Sequence, residues 1–293
     1  MVIQHRSRFL GLCLGTAGIL CLPLLSTAAS AQSIADPGAA VGGVSQYEWS
    51  TRWWTAVGQA PAASNPLFGS SDSASLDLIN GTPESPVYYL TGSLDGQPIN
   101  RTARIASNQH IFFSPVNYLE WESFDPSFQD SPAAVCASAV SNIDAIANDS
   151  SSVFLATLNG TDLVPDVRSY RQSCDGKPNL SPVPSGLDGG FEASAGTGTL
   201  FTEILATSNP DRFASDGYWL MLQPLAAGTY QLRYGGTFNG GQFVQDNTYS
   251  LEVYNPSVPG PLPALGLAVA FRCSRRLRAR LQKGRRPRLG NSG

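Results

Sequence analysis

The sequence predicts a mainly β fold, a β-sandwich or jelly-roll-like single domain with two short helices, spanning residues 44-256. Three observations lead there. Short runs of β-branched and aromatic residues recur between residues 86 and 254, each bounded by Gly, Pro, Asn or Asp. Only two segments space their apolar residues at the helical period. The chain also carries 29 glycines and 21 prolines among 293 residues, which suits many turns and few helices. About 220 residues fit one such domain, and no internal repeat breaks it up.

The elements follow in order. Residues 32-43 are rich in Gly, Ala, Pro and Ser and read as a flexible linker. A helix begins after Ser45, where Ser45 and Glu48 form a Ser-x-x-Glu capping box and Val44 and Trp49 occupy the staple positions. Trp49, Trp53 and Val57 then mark one apolar stripe, with Trp54 beside them. Pro86 to Leu94 and Gln97 to Ala106 flank Asp95-Gly96, a hairpin-turn signal, and His110 to Val116 is a further strand. The second helix runs from Pro132 to Ala147. Ser131 can cap it, Pro132 fits the first turn, and Val135, Ala139, Ile143 and Ile146 share a face. Ser152 to Leu158 and Asp162 to Val167 flank a second turn, Asn159-Gly160, and Val167 to Ser173 alternates as a strand does. Gly217 to Leu222, Gly228 to Tyr234 and Asn247 to Tyr254 complete the strands.

Both termini differ from this body. Residues 1-31 read as a signal peptide. Arg6 and Arg8 charge its start, Phe9 to Leu22 is an uncharged apolar run, and Ala29-Ser30-Ala31 offers the small-x-small pattern that signal peptidase accepts. Ser7 separates the two arginines, so the twin-arginine route is not indicated. Cleavage after Ala31 leaves Gln32 first, and export follows.

Residues 257-293 combine a proline motif, an apolar stretch and a basic end. Val258-Pro259-Gly260-Pro261-Leu262-Pro263 opens the tail, Leu262 to Phe271 is small and apolar, and nine Lys/Arg with no acid follow, beginning Arg272, Arg275, Arg276. This order resembles the PEP-CTERM sorting segment of exported bacterial proteins, in the Val-Pro-Gly-Pro-Leu-Pro form common in cyanobacteria. The resemblance implies retention at the membrane, basic end inward, until an exosortase-type enzyme processes the tail. Gly260 stands where the family carries glutamate between its prolines. The arginines fit a cytoplasmic end by the positive-inside rule. Ten apolar residues make about 15 Å of helix, however, half of a hydrocarbon core about 30 Å thick. An interfacial helix is the alternative, with Cys273, Leu277 and Leu281 on one face against an anionic membrane surface.

Charge and cysteine usage agree with export. Between signal and tail lie eight bases and all 22 acids, a net of −14. A body so acidic opposes nucleic acid and suits a secreted domain. It holds two cysteines, Cys136 and Cys174, read as one disulfide. Neither a Cys-x-x-Cys pair nor a Cys/His cluster suggests a metal, and no motif implies a cofactor.

The body's chemistry is sparse. His110 is its one histidine, without a Gly-x-Ser-x-Gly elbow to make a triad. Glu120 and Glu122 flank Trp121, and on a strand both carboxylates share a face, as a glycosidase could use. Asp125, Asp130, Asp144 and Asp149 could hold calcium but match no EF-hand loop. Asn80, Asn100, Asn148 and Asn159 begin glycosylation sequons, which a bacterial source would make coincidental. The body also resembles a group of uncharacterised secreted bacterial proteins through Tyr47 to Trp54, Asn65-Pro66-Leu67, Ile111 to Asn117 and Asp216 to Leu222. That resemblance implies a recurring domain and no activity.

The reading is therefore an exported envelope or extracellular-matrix protein with no catalytic residues assigned. Two alternatives stand beside it. One is a secreted carbohydrate-binding β-sandwich that meets polysaccharide through Trp49, Trp53, Trp54, Trp121 and Trp219. The other is a carboxylate-dependent secreted hydrolase.

Overall fold

The computed structural model describes residues 33-68, 74-80, 85-121, 132-147, 149-176, 191-193, 198-200 and 211-256. The described residues include these helices and strands: α1 (Gln46–Gln59), β1 (Val87–Tyr89), β2 (Ile99–Ala106), β3 (His110–Trp121), α2 (Pro132–Ala147), β4 (Val153–Leu158), β5 (Thr161–Asp162), β6 (Arg171–Ser173), β7 (Phe191–Ala193), β8 (Asp211–Leu222), β9 (Gly228–Phe238) and β10 (Phe243–Tyr254). The strands form two five-stranded sheets. The first runs β1-β3-β8-β6 with β7 also on β8, and the second runs β2-β10-β9-β4-β5. The fold is mainly β and sandwich-like, as the sequence predicts.

The first sheet is the middle layer. From Phe213 to Leu222 every residue of β8 is buried, so neither face meets solvent. One face looks to α1: Trp219 stacks on Phe112 at 5.0 Å and meets Trp53 of α1 edge-on at 5.3 Å. The other looks to the second sheet, where Phe113 lies 4.6 Å from Tyr234 and Tyr218 lies 5.0 Å from Phe154. The second sheet has one wet face. Along β10, Asn247, Tyr249, Leu251 and Val253 are buried while Glu252 and Tyr254 are exposed, the alternation of a half-buried strand.

Helix α1 forms where its cap predicts. Ser45 Oγ accepts the Glu48 backbone N–H at 3.2 Å. Glu48 turns its carboxylate to Arg52 one turn on, at 2.6 Å. The tryptophan stripe is buried, and two indoles tie down the chain around the helix: Trp49 Nε1 donates to Val41 O and Trp53 Nε1 to Leu90 O. Helix α2 takes the predicted bounds and packs on β3 and β8.

The structure corrects four local expectations. Asp95-Gly96 is a turn but not a hairpin. Its flanking strands enter different sheets, β1 pairing parallel with β3 and β2 parallel with β10. Asn159-Gly160 does make a two-residue hairpin, both residues at positive φ, but its second strand is only Thr161–Asp162. Val167–Tyr170 is a 3₁₀ turn, capped by Asp166 Oδ1 on the Arg168 N–H at 2.9 Å, and only Arg171–Ser173 is strand. The expected linker is bound to the body from Ser33 onward: Ala35 N donates to Met221 O, Gln223 N to Ser33 O, and Ala35 and Val41 are buried.

Strands β9 and β10 are longer than expected because Gly235-Gly236 sits inside the ladder rather than ending it. A Cβ at Gly235 would lie 2.0 Å from Gln245 O and one at Gly236 2.1 Å from Val153 O. Glycine here admits close neighbours on both sides.

Candidate functional site

A cavity of about 300 Å³ opens beside α1, at the small end of the range for ligand sites. A proline builds one wall. Pro115 has no N–H to give the ladder, and the β3–β8 register shifts between Phe113 and Val116. Ser114 Oγ crosses to Tyr218 O at 2.7 Å. Val116, Asn117 and Tyr118 then line the space. Trp53 and Trp54 come from α1, Ile146 from the end of α2 and Phe243 from the start of β10.

The remaining wall is polar but uncharged. Gln245 clamps the loop after β1, donating from Nε2 to Ser93 O at 2.6 Å and accepting the Ser93 N–H at 3.3 Å. Asn247 Nδ2 in turn donates to Gln245 Oε1 at 3.2 Å. Gly92 lets this clamp close, since a Cβ there would lie 2.7 Å from Gln245 Oε1. No Asp, Glu, Lys, Arg or His lines the cavity among the described residues. Trp54 is nine-tenths buried, and its Nε1 has no hydrogen-bond partner among the described residues.

Behind this loop lies a polar cluster that sequence reasoning passed over. Tyr234 and Tyr249 stack at 5.9 Å, and both hydroxyls donate to Thr91 O at 2.8 Å. Buried Arg101 donates from Nη1 to Thr91 Oγ1 at 2.9 Å. Burial pushes the Tyr234 phenol well above its ordinary range. Nothing local marks these residues, because the cluster joins β2, β9, β10 and a loop. The same holds for the cavity.

The residues singled out by sequence are scattered. Trp49, Trp53, Trp54 and Trp219 are buried, and Trp121 is partly exposed at the end of β3. Trp53 and Trp54 meet open space only where they line the cavity, and the four form no exposed tryptophan platform. Glu120 accepts a hydrogen bond from Ser138 of α2 at 2.6 Å, a strut between helix and strand. Glu122, Asp125 and Asp130 lie outside the described residues. Asp144 pairs with Arg171, and Asp149 accepts from Ser151 and the Gly240 N–H, which together hold its carboxyl below the usual range. Among the described residues no three His, Cys, Asp or Glu gather as a metal site.

His110 opens β3 half-buried, its backbone N–H bonded to Pro86 O at 2.8 Å. Asn80 spends its amide on the backbone, bonding Leu76 O, Tyr89 O and the Tyr89 N–H. Cys136 and Cys174 form a disulfide, joining α2 to the end of β6. Ala29 and Ala31 of the cleavage motif, and Pro259, Gly260, Pro261, Arg272, Arg275 and Arg276 of the tail, lie outside the described residues. No described helix is long and apolar enough to cross a membrane. Comparison of the chain with protein-family profiles, curated proteins and solved structures finds no match.

Proposed function

We propose that this chain is an exported envelope or extracellular-matrix protein, sorted by its C-terminal tail. The observation that carries export is the Cys136–Cys174 disulfide. Such bonds form and persist in oxidising compartments and are rare in the reducing cytosol. It lies in the body, independent of the two terminal motifs, and all three agree. The tail's nine bases follow a body of net charge −14, an arrangement suited to opposite sides of a membrane or to separation by cleavage.

Signal peptidase and an exosortase-type enzyme are the processing partners this reading requires, and the membrane surface is the tail's contact. Localisation tests it. The full-length chain and a chain truncated after Asn255 are expressed in the native host. The full chain should partition with the envelope before processing, and the truncated chain should pass directly into the medium. Equal release of both would refute sorting by the tail.

A further inference from the structure

Residues 33–41 form a strap along one edge of the first sheet. Ile34 bridges Leu222 antiparallel, on the side of β8 opposite Ile111 of β3. The Gln223 N–H donates to Ser33 O at 3.0 Å and the Ala35 N–H to Met221 O at 2.8 Å. Three side chains of the body donate to carbonyls further along the strap. Gln46 Nε2 reaches Asp36 O at 2.5 Å, Gln172 Nε2 reaches Pro37 O at 3.1 Å, and Trp49 Nε1 reaches Val41 O at 3.0 Å. The strap's own Ala35 and Val41 are buried.

The first of these bonds falls next to the processing motif. Ala29-Ser30-Ala31 sets the scissile bond between Ala31 and Gln32, one residue before Ser33. Covalent geometry holds that bond within about 6 Å of the Ser33 Cα. Adjacent strands lie about 4.8 Å apart, so a docked strap leaves no room for an enzyme to enclose the chain on both sides of the bond. A protease reaches backbone held this way only when its burial and hydrogen bonds are released.

We propose that docking of the strap and removal of the signal peptide exclude each other: the Ala31–Gln32 bond is cut before residues 33–41 seat on β8, and is protected once they have. The proposal rests on the reading of residues 1–31 as a signal peptide. In the cut, water adds across the Ala31–Gln32 amide, leaving a carboxylate on Ala31 and an amine on Gln32. Strap docking is thus the closing step of the mature chain. A chain that folds before it meets the peptidase stays a precursor.

The full-length chain is made by cell-free synthesis, and purified signal peptidase in nonionic detergent is added either during synthesis or after folding and oxidation. A second chain carries ten Gly/Ser residues inserted between Gln32 and Ser33. The insert leaves the strap sequence intact and moves the scissile bond roughly 17 Å from the body; an unchanged thermal melt confirms its fold. Mass spectrometry follows the appearance of a chain beginning at Gln32. The unaltered chain should be cut during synthesis but roughly tenfold or more slowly once folded, because cleavage then waits on local opening. The folded insertion chain should be cut as fast as the nascent one.

Equal rates for the nascent and folded unaltered chains would overturn the proposal. Protection that persists in the folded insertion chain would also overturn it, since closeness to the strap would then not be the cause. No cleavage in any arm would overturn the reading of residues 1–31 as a signal peptide, and the proposal with it.

Discussion

Arg171 grips Asp216 with two nitrogens, Nε to Oδ1 at 2.9 Å and Nη2 to Oδ2 at 3.0 Å. Its third nitrogen, Nη1, reaches Asp144 of α2 at 2.6 Å. Ser173 Oγ adds a donor to Asp216 at 2.6 Å. One guanidinium thus joins β6, β8 and α2 beside the disulfide. The Asp216 side chain is fully buried, whereas Arg171 keeps about a quarter to a third of its own exposed, at 29%. Burial pushes the Asp216 carboxyl up, while Arg171 and Ser173 draw it down.

Replacing Arg171 with Met should therefore cost about 3 kcal/mol, because the cost is that of a buried carboxylate left without its cation. Adding Asp216→Leu should recover most of that loss, since the uncompensated charge is gone. Urea unfolding of the two single variants and the double variant measures the coupling. A strictly additive double variant would show that the pair is not a unit.

The Cys136–Cys174 bond closes a separation of 38 residues. Replacing both cysteines by Ala should lower stability by roughly 4 kcal/mol in the chain-entropy account. Guanidinium unfolding, with and without the bond, reads this directly. The loss should be similar when the bond is instead reduced.

His110 supplies a pH dependence. Burial lowers its pKa from the ordinary 6.5, against a smaller upward pull from the Pro86 carbonyl. The unfolded chain therefore takes up a proton near pH 6.5 that the folded chain declines. Stability from this group is present above that pH, is lost as the pH falls toward the folded value, and levels off below it. In His110→Gln the difference in unfolding free energy between pH 7.5 and pH 5.5 should be smaller than in the unaltered chain.

Two glycines make contrasting probes of the second sheet. Gly236→Ala places a methyl 2.1 Å from Val153 O and 2.7 Å from Phe238 Cζ, and should cost about 3 kcal/mol or more. Gly240 sits in the β9–β10 loop at φ +64° with nothing within 4 Å of an added Cβ. Gly240→Ala should cost about 1 kcal/mol, the backbone strain alone. Thermal melts rank the two.

What the sequence reveals is the local part of the structure. The Ser45 cap, the tryptophan stripe, the bounds of α2 and the Asn159-Gly160 turn depend on neighbours a few residues apart, and each is legible. Asp95-Gly96 shows the limit. Asp95 Oδ1 accepts the Gln97 N–H at 3.1 Å, and Gly96 takes φ +71°, so the chain does bend there, but not as a hairpin. Which strand then pairs with which depends on β3 and β10, far along the chain. Gly235-Gly236 misleads for the same reason, since what forces glycine there is the backbone of two other strands. The cavity collects Trp53, Tyr118, Ile146 and Phe243 from four elements, whereas the Cys136–Cys174 bond is legible because the body holds just two cysteines. Pro115 falls within the expected strand His110 to Val116, but nothing local marks the bulge that shapes a cavity wall.

The central claim is that the body is the exported, oxidised part of a processed precursor. Intact mass and a non-reducing peptide map of the protein recovered from its native host test it in one measurement. The account predicts a chain beginning at Gln32, a Cys136–Cys174 crosslinked peptide, and loss of the basic tail from the mature form. A chain still beginning at Met1, with both cysteines as free thiols, would contradict it.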